Sequence, residues 1–176
     1  MVDKGMELVG LKKPEVPAGL DPELAKVQLQ RKLTLRIHAG NILNTDAAGR
    51  PLSLVTRIYT LRSAEQFLQA TYPMFAATGA DRPAFSQDVV SVKEVVLTPG
   101  QKYDMVETLP ADATHLAVVA LFRAPDSQRW RFVFEARPAL RSGVTIGAHG
   151  CALSVAAGEP VGAAPEALRL AGVQCR

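Results

Sequence analysis

The sequence predicts a mainly all-β protein, a sandwich of two sheets with about eight strands. Short segments in which apolar and polar residues alternate, as in half-buried strands, follow one another along the chain. Turn residues such as Gly, Pro, Asn and Asp separate these segments at regular spacing. A barrel would have the same signature. We favour the sandwich because two sheets of four strands can share the large aromatic and aliphatic set.

The chain divides into three parts. Residues 1–30 are rich in Pro, Gly and charge, which indicates a linker or an extended lead-in to the first strand. A short helix over Pro22–Gln30, with Asp21 as its N-cap, is the alternative for the end of this part. The sandwich is expected to occupy residues 31–158, and residues 159–176 form an Ala- and Gly-rich tail.

The first two strands, residues 33–39 and 52–61, are joined by a long connection over residues 40–51. The first strand alternates strictly, and the second is rich in the Val, Ile, Thr and Tyr that strands prefer. A hairpin needs only about two to five residues at such a place. Because oversized loops often carry function, and this one is expected to expose Ile42 and Leu43, it is a candidate binding element.

After the second strand the apolar period changes from strand-like to helical, which predicts a helical insertion at residues 63–88. Ser63–Gln66 has the form of a capping box. The residues that recur at helical spacing are Phe67, Leu68, Thr71, Met74 and Phe75. We expect this helix to end by Thr78–Gly79, with a further turn at Ala84–Asp88, and to cover one end or face of a sheet.

Six more strands are predicted, at 89–97, 102–109, 115–123, 130–135, 143–148 and 151–155. Thr98–Gln101 fits a type II turn with Pro99 and Gly100 at its centre. The near-continuous apolar run of residues 115–123 is typical of a central strand. The strand at 130–135 is expected to turn its aromatic residues toward the core, and Pro165–Leu170 fits a short helix.

Composition excludes several classes of function. The net charge of +3 comes from scattered Lys and Arg rather than from one basic face, so nucleic-acid binding is not expected. No apolar stretch is long enough for a membrane span, and the N-terminus lacks the apolar core of a signal peptide. The chain is therefore either cytosolic or a piece of a mature exported protein.

Motifs for catalysis are missing from the sequence. There is no nucleophile elbow, P-loop, dinucleotide fingerprint or zinc-protease motif, so no enzyme, cofactor or small-molecule substrate is expected. His38, His115 and His149 fall on or beside three different predicted strands, and no metal site is expected. The two cysteines, Cys151 and Cys175, could be unpaired buried thiols or one disulfide in an oxidising compartment.

Three blocks of sequence follow one another in this chain: LTLRIHAGNILNTDAAGRPLSLVTRIYTL, VALFRAPDSQRWRFVFEA and GVTIGAHGCALSV. Together they resemble the TssJ (SciN) family, the outer-membrane lipoproteins of the bacterial type VI secretion system. The resemblance implies a transthyretin-like β-sandwich with a helical insertion after the second strand. It also implies a periplasmic protein that binds the periplasmic domain of the inner-membrane protein TssM. The loop assigned to that contact in the family corresponds to Gly40–Pro51 here.

The resemblance further implies an acylated N-terminal cysteine as the anchor to the outer membrane. No cysteine precedes Cys151, so the lipidated residue and its signal are absent from this chain. We interpret the chain as a piece of the mature region. A periplasmic location also favours a disulfide between Cys151 and Cys175.

Strand parity places three loops at one end of the sandwich. If successive strands run antiparallel, residues 40–51, 98–101 and 123–128 emerge together, with the helical insertion at the opposite end. We expect Ile42 and Leu43 to be the apolar anchors of a partner-binding patch with a polar rim. The residues assigned to this patch are Asn41, Ile42, Leu43, Asn44, Thr45, Asp46, Arg50, Pro99, Pro125 and Asp126.

Two alternatives stay open from the sequence. In one, Ile42 and Leu43 fold back on the edge of the sandwich while residues 44–46 form a local Asx turn. In the other, the chain is a small-molecule-binding sandwich similar in architecture to transthyretin. That function would need a deep apolar pocket or a channel between subunits.

Overall fold

Two four-stranded sheets form a β-sandwich, which confirms the predicted fold class. The computed structural model of the protein describes residues 19, 21–24, 31–77 and 83–176. The strands are β1 (Lys32–Ala39), β2 (Leu54–Leu61), β3 (Val89–Leu97), β4 (Lys102–Thr108), β5 (His115–Ala120), β6 (Arg131–Glu135), β7 (Val144–Ala148) and β8 (Leu153–Ala157). Sheet 1 has the order β4-β1-β7-β8, and sheet 2 has the order β3-β2-β5-β6.

Helical segments in the described part of the chain are short. They are α1 (Glu65–Gln69), α2 (Tyr72–Ala76) and α3 (Ala136–Ser142), with 3₁₀ turns at Ala84–Asp88 and Pro165–Leu168. Residues 22–24 are helical, and the Asp21 carboxylate accepts a hydrogen bond from the N–H of Glu23 at 2.9 Å. The rest of the helix predicted there, residues 25–30, lies outside the described residues, as does most of the lead-in.

Consecutive strands β1 and β2 lie in different sheets. β1 pairs with β4 in an antiparallel and with β7 in a parallel arrangement, whereas β2 pairs with β3 and β5. The long connection between them is therefore not an enlarged hairpin, because it must carry the chain from one sheet to the other. The prediction that this connection is longer than its place in the fold requires was therefore wrong, because it took the hairpin loop as the standard of length.

Helix α3 was not predicted from the sequence. Its seven residues are too few to show a helical period, and Pro138 is tolerated because it lies in the first turn. Gly143 ends the helix with a φ of 69°, a conformation that glycine adopts without steric cost. The helix leads the chain from β6 in sheet 2 to β7 in sheet 1, which allows β7 to run parallel to β1.

The core lies between the inner faces of the two sheets. Leu33, Leu35 and Ile37 of β1 are fully buried, and Phe132 and Phe134 of β6 are about as inaccessible. β5 lies between β2 and β6 and is buried on both faces, as predicted for a central strand.

Trp130 departs from the predicted pattern. Its ring lies 5.1 Å from that of Tyr72 and 5.3 Å from that of Phe75, measured between ring centroids. It is buried, but it packs against the helical insertion and not in line with Phe132 and Phe134. The reason is that Trp130 precedes the regular part of β6, where strict alternation no longer applies.

The insertion covers the outer face of sheet 2. Tyr59 of β2 meets Phe67, Phe75 and Phe85 edge to face, with ring centroids 5.1, 6.1 and 6.3 Å away. The hydroxyl of Tyr72 donates to the carbonyl of Phe122. The expectation that the insertion sits at the far end of the sandwich was wrong. Its aromatic residues pack against Tyr59 on the outer face of sheet 2, and this packing places the insertion alongside β2.

Two short helices replace the single helix predicted for the insertion. A continuous helix through Pro73 would lose the hydrogen bond to the carbonyl of Gln69 and clash with it, so the chain breaks at Ala70–Thr71. The capping box does not form either. Ala64 occupies the N-cap position, and the Ser63 hydroxyl accepts only a 3.3 Å hydrogen bond from the N–H of Glu65.

Two buried threonines on the inner face of β2 offer a matched test of polar burial. The Thr60 hydroxyl bonds the Ser91 hydroxyl at 2.6 Å, whereas the Thr56 hydroxyl is buried with no hydrogen-bond partner among the described residues. We expect Thr56→Val to raise the free energy of unfolding by about 1 kcal/mol, and Thr60→Val to lower it by about 1 kcal/mol. Urea unfolding measures both, and a loss of stability in Thr56→Val would contradict this interpretation.

Candidate functional site

Four loops meet at the end of the sandwich where β1 and β7 both finish. We call this region the loop end and define it as residues 40–53, 98–101, 121–130 and 149–152. The N–H of Ala39 donates to the carbonyl of Gln101, and the N–H of Gly40 donates to the carbonyl of Ala148, both at 2.8 Å. The structure thus brings together the three loops that strand parity grouped. It adds the loop between β7 and β8, to which the same parity argument applies.

Leu43 is not an exposed anchor, and that expectation was wrong. Its side chain is fully buried in the core, and its carbonyl accepts the N–H of Leu52 at 2.9 Å. Ile42, by contrast, is 67% exposed. The loop thus buries one of these two side chains and presents the other. One of the two predicted apolar anchors therefore remains available to a partner.

Asn44 is a buried hub of the loop end, not part of a polar rim. Its amide nitrogen donates to the Ser53 carbonyl, and its amide oxygen accepts the N–H of Arg123, both at 2.8 Å. Its own N–H donates to the His149 carbonyl at 3.0 Å. The residue has a φ of 42°, a left-handed conformation that asparagine tolerates better than most side chains. Asn44 therefore ties three of the loops together.

Thr45 is also buried, and its assignment to the exposed patch was likewise wrong. Its N–H donates to the Gly150 carbonyl at 2.9 Å, which continues the pairing between the two loops. Its own carbonyl accepts the Nε of Arg123 at 3.0 Å. The backbone N–H and carbonyl of Thr45 are therefore both hydrogen-bonded to neighbouring loops, which holds the residue inside the loop end.

Asp46 holds the tip of the long loop in an Asx-type turn. Its Oδ1 accepts the N–H groups of Ala48 and Arg50 at 2.8 and 2.9 Å, and its Oδ2 accepts the Nε of Arg50 at 2.8 Å. The backbone hydrogen bond from Arg50 is the main cause that lowers the pKa of this carboxyl. The local turn that the sequence suggested at residues 44–46 is thus built by Asp46, and it presents Arg50 to solvent.

The other assigned residues differ in exposure. Asn41 and Pro99 are exposed, whereas Pro125 and Asp126 are half-buried. The Thr98–Gln101 turn closes with a 3.1 Å hydrogen bond, and Gly100 has the positive φ of 78° that a type II turn requires. The Asp126 carboxylate accepts from the Nη1 of Arg129 at 3.2 Å, so it is occupied within its own loop.

The C-terminal tail also reaches the loop end, which the sequence did not predict beyond the possible disulfide. Cys151 and Cys175 are joined by a disulfide. Arg123 donates from its Nη2 to the carbonyl of Arg176 at 2.7 Å. Arg129 donates to the carbonyl of Arg169 at 2.9 Å. The cysteine spacing was the one signal in the sequence that could have placed the tail here.

His149, in the loop between β7 and β8, supports a prediction about pH. Burial lowers the pKa of its imidazole, and burial also lowers that of His115, where the charge of Glu135 acts in the opposite direction. Because the fold disfavours the protonated rings, the unfolded chain binds more protons, and stability falls as the pH drops below about 6.5.

We therefore expect the urea midpoint to decrease between about pH 7.5 and about pH 5.5, and His149→Gln to show a smaller decrease than the parent chain. His38→Gln, at an exposed position, is the control and should follow the parent. A pH dependence in His149→Gln as steep as that of the parent would rule out the buried imidazole as its source.

The loop end presents the exposed residues Asn41, Ile42 and Arg50 on hydrogen-bonded loops. Within the described ranges no group of three or more His, Cys, Asp or Glu is placed to hold a metal ion. No helix in this part of the chain is long and apolar enough to cross a membrane. A surface cleft of about 640 Å³ lies on the insertion, beside Met74 and Phe85.

Comparison with known proteins gives consistent matches. The model of a family described as type VI secretion lipoprotein, VasD, EvfM, TssJ matches residues 31–151. None of the curated protein sequences compared with the chain matches it.

Three solved structures contain chains that are similar to this one. A chain in a structure titled "Type VI membrane complex" is 31% identical, with a TM-score of 0.64, over 70% of this chain and 96% of that one. A chain in a structure titled for the T6SS protein TssM C-terminal domain from EAEC is 33% identical, with a TM-score of 0.60 and the same coverage. The T6SS lipoprotein TssJ1 from Pseudomonas aeruginosa is 28% identical, with a TM-score of 0.63, over 73% and 96% of the two chains.

Proposed function

The chain belongs to the type VI secretion lipoprotein family that includes TssJ, and from this membership we propose that it binds the periplasmic domain of TssM through the loop between β1 and β2. In this role it is a structural part of the secretion system's membrane complex, on the periplasmic side of the outer membrane. The titles of two similar structures, which name the membrane complex and the TssM C-terminal domain, support the choice of partner.

The exposure of Ile42 is the observation that carries this proposal. A large aliphatic side chain that is 67% exposed costs solvation free energy unless a partner covers it. Single exposed apolar residues are common, so position matters as well. Ile42 stands between the buried Leu43 and the exposed Asn41, on a loop whose backbone is bonded to two others. Such a fixed loop loses little conformational entropy on binding.

The membrane anchor is part of the proposal. A lipid attached to a cysteine upstream of the sandwich would hold the protein at the outer membrane, as the family description of a lipoprotein suggests. The disulfide between Cys151 and Cys175 is compatible with an oxidising compartment such as the periplasm. Fractionation of cells that express the complete gene product tests this, and recovery in the cytosol would contradict it.

Site-specific photo-cross-linking tests the proposed contact. A photoreactive amino acid at position 42 is expected to capture the TssM periplasmic domain. The same group at position 106 is the control, because Val106 is 59% exposed but lies on β4 toward the other end of the sandwich. Capture from position 106 and not from position 42 would refute the assignment of the loop.

A further inference from the structure

We infer that the end of the C-terminal tail, Val173–Arg176, forms part of the same partner-binding surface. This inference rests on the proposed function. We further infer that the enlarged surface takes a partner face in which carboxylates surround an apolar centre. The family model matches residues 31–151, so the tail is a feature of this chain outside the matched region.

A covalent bond fixes the tail at the loop end. Cys151, which is 2% exposed, lies in the loop between β7 and β8, and its carbonyl accepts the N–H of Asp126 at 2.8 Å. The disulfide to Cys175 therefore attaches the tail to a residue that already links two of the four loops. The tail cannot leave this position while the bond is intact.

The tail lies directly beside the exposed isoleucine. A Cβ atom added at Gly150 would lie 3.1 Å from the Sγ of Cys175, 3.5 Å from the Oγ1 of Thr45 and 3.8 Å from the Cγ2 of Ile42. The three side chains thus surround one point. A partner large enough to cover Ile42 would also contact the tail.

Two arginines hold the backbone of the tail. Arg129 donates to the carbonyls of Glu166 and Arg169 at 3.0 and 2.9 Å, and Arg123 donates to the carbonyl of Arg176 at 2.7 Å. Hydrogen bonds from charged donors are the stronger ones in proteins. The tail is therefore ordered before any partner arrives, which lowers the entropic cost of using it in an interface.

The charges around Ile42 favour an acidic partner. Arg123 and Arg176 are exposed. The carboxylates of the same loops, Asp46 and Asp126, are ion-paired with Arg50 at 2.8 Å and with Arg129 at 3.2 Å. An incoming face with carboxylates would meet Arg123 and Arg176, and complementary charge at the rim of an interface acts mainly on the association rate.

Charge reversal in the tail tests the inference. Arg176→Glu keeps the disulfide and the carbonyl that Arg123 uses, and it should weaken binding of the TssM periplasmic domain about fivefold at low salt, with a smaller effect at high salt. Arg137→Glu is the matched control, because Arg137 is exposed on α3 at the other end of the sandwich, and it should bind like the parent. Surface plasmon resonance gives both rates.

A second variant tests the attachment of the tail. Cys151→Ala combined with Cys175→Ser releases the tail and should weaken binding about tenfold at a temperature where circular dichroism shows the variant folded. Parent-like affinity in both tail variants, together with lost affinity in Ile42→Asp, would overturn the inference and leave the proposed function standing. Parent-like affinity in Ile42→Asp as well would overturn the proposed function itself.

Discussion

Replacing Ile42 with aspartate is expected to weaken binding of the TssM periplasmic domain by about 30-fold or more, which corresponds to about 2 kcal/mol. An apolar residue at the centre of an interface contributes most of its binding energy through desolvation, and moving a carboxylate from water into that position costs free energy instead. It would also bring a negative charge to the face that we propose binds carboxylates. Isothermal titration calorimetry against the purified domain measures the change.

The fold should tolerate this substitution, because the Ile42 side chain is 67% exposed. Leu43→Ala is the matched control from the neighbouring position. It removes a fully buried side chain and should lower the free energy of unfolding by about 2–5 kcal/mol, with affinity retained in the folded fraction. The loop assignment is wrong if Ile42→Asp binds like the parent chain, or if it unfolds as readily as Leu43→Ala.

Replacing Arg131 with methionine is expected to lower the free energy of unfolding by about 3 kcal/mol. Its guanidinium donates to the carbonyls of Phe67, Leu68 and Ala70 at the end of α1, where helix carbonyls have no partner within the helix. The group also lies 4.5 Å from the centre of the Trp130 ring. Burial lowers the pKa of Arg131 to about 10, so its charge is largely withdrawn from water.

Methionine keeps the apolar stem of Arg131 but removes the guanidinium that donates to those carbonyls, so the insertion should loosen from sheet 2. Arg57→Met is the matched control on β2, since Arg57 donates to one insertion carbonyl, that of Phe75, and to the exposed Glu94. We expect about 1 kcal/mol for this control. Hydrogen exchange of the Phe67 and Phe75 amides reports the loosening. Equal losses in the two variants would show that the guanidinium of Arg131 has no special role.

The strands of this fold could be predicted because their pattern is local. β3 begins and ends at the predicted residues, and β5 has the two-sided burial that its continuous apolar run indicates. Helix α3 and the break at Ala70–Thr71 were not predicted, since a helix of seven residues shows no clear period and the effect of Pro73 on the preceding turn was overlooked. Trp130 is buried as expected, but its packing against Tyr72 and Phe75 of the insertion was not predicted.

The site could be predicted only in outline. Strand parity indicated which loops gather at one end, and the contacts of Gly40 with Ala148 and of Asn44 with Arg123 are found there. The orientation of individual side chains within the long loop could not be predicted. Asn44 was predicted to be a rim residue because it is polar. Its side-chain amide instead donates to the Ser53 carbonyl and accepts the N–H of Arg123, so it lies inside the loop end.

By itself, the sequence determined that this protein is a β-sandwich with a helical cover and one long loop, because alternation, turn residues and a change of period act over a few neighbouring residues. The tertiary structure alone decided which of two adjacent apolar residues is presented, since Leu43 completes the core and Ile42 is left outside. It also decided that a tail distant in sequence lies beside Ile42, because a disulfide and arginine–carbonyl hydrogen bonds act between groups that only the folded chain brings together.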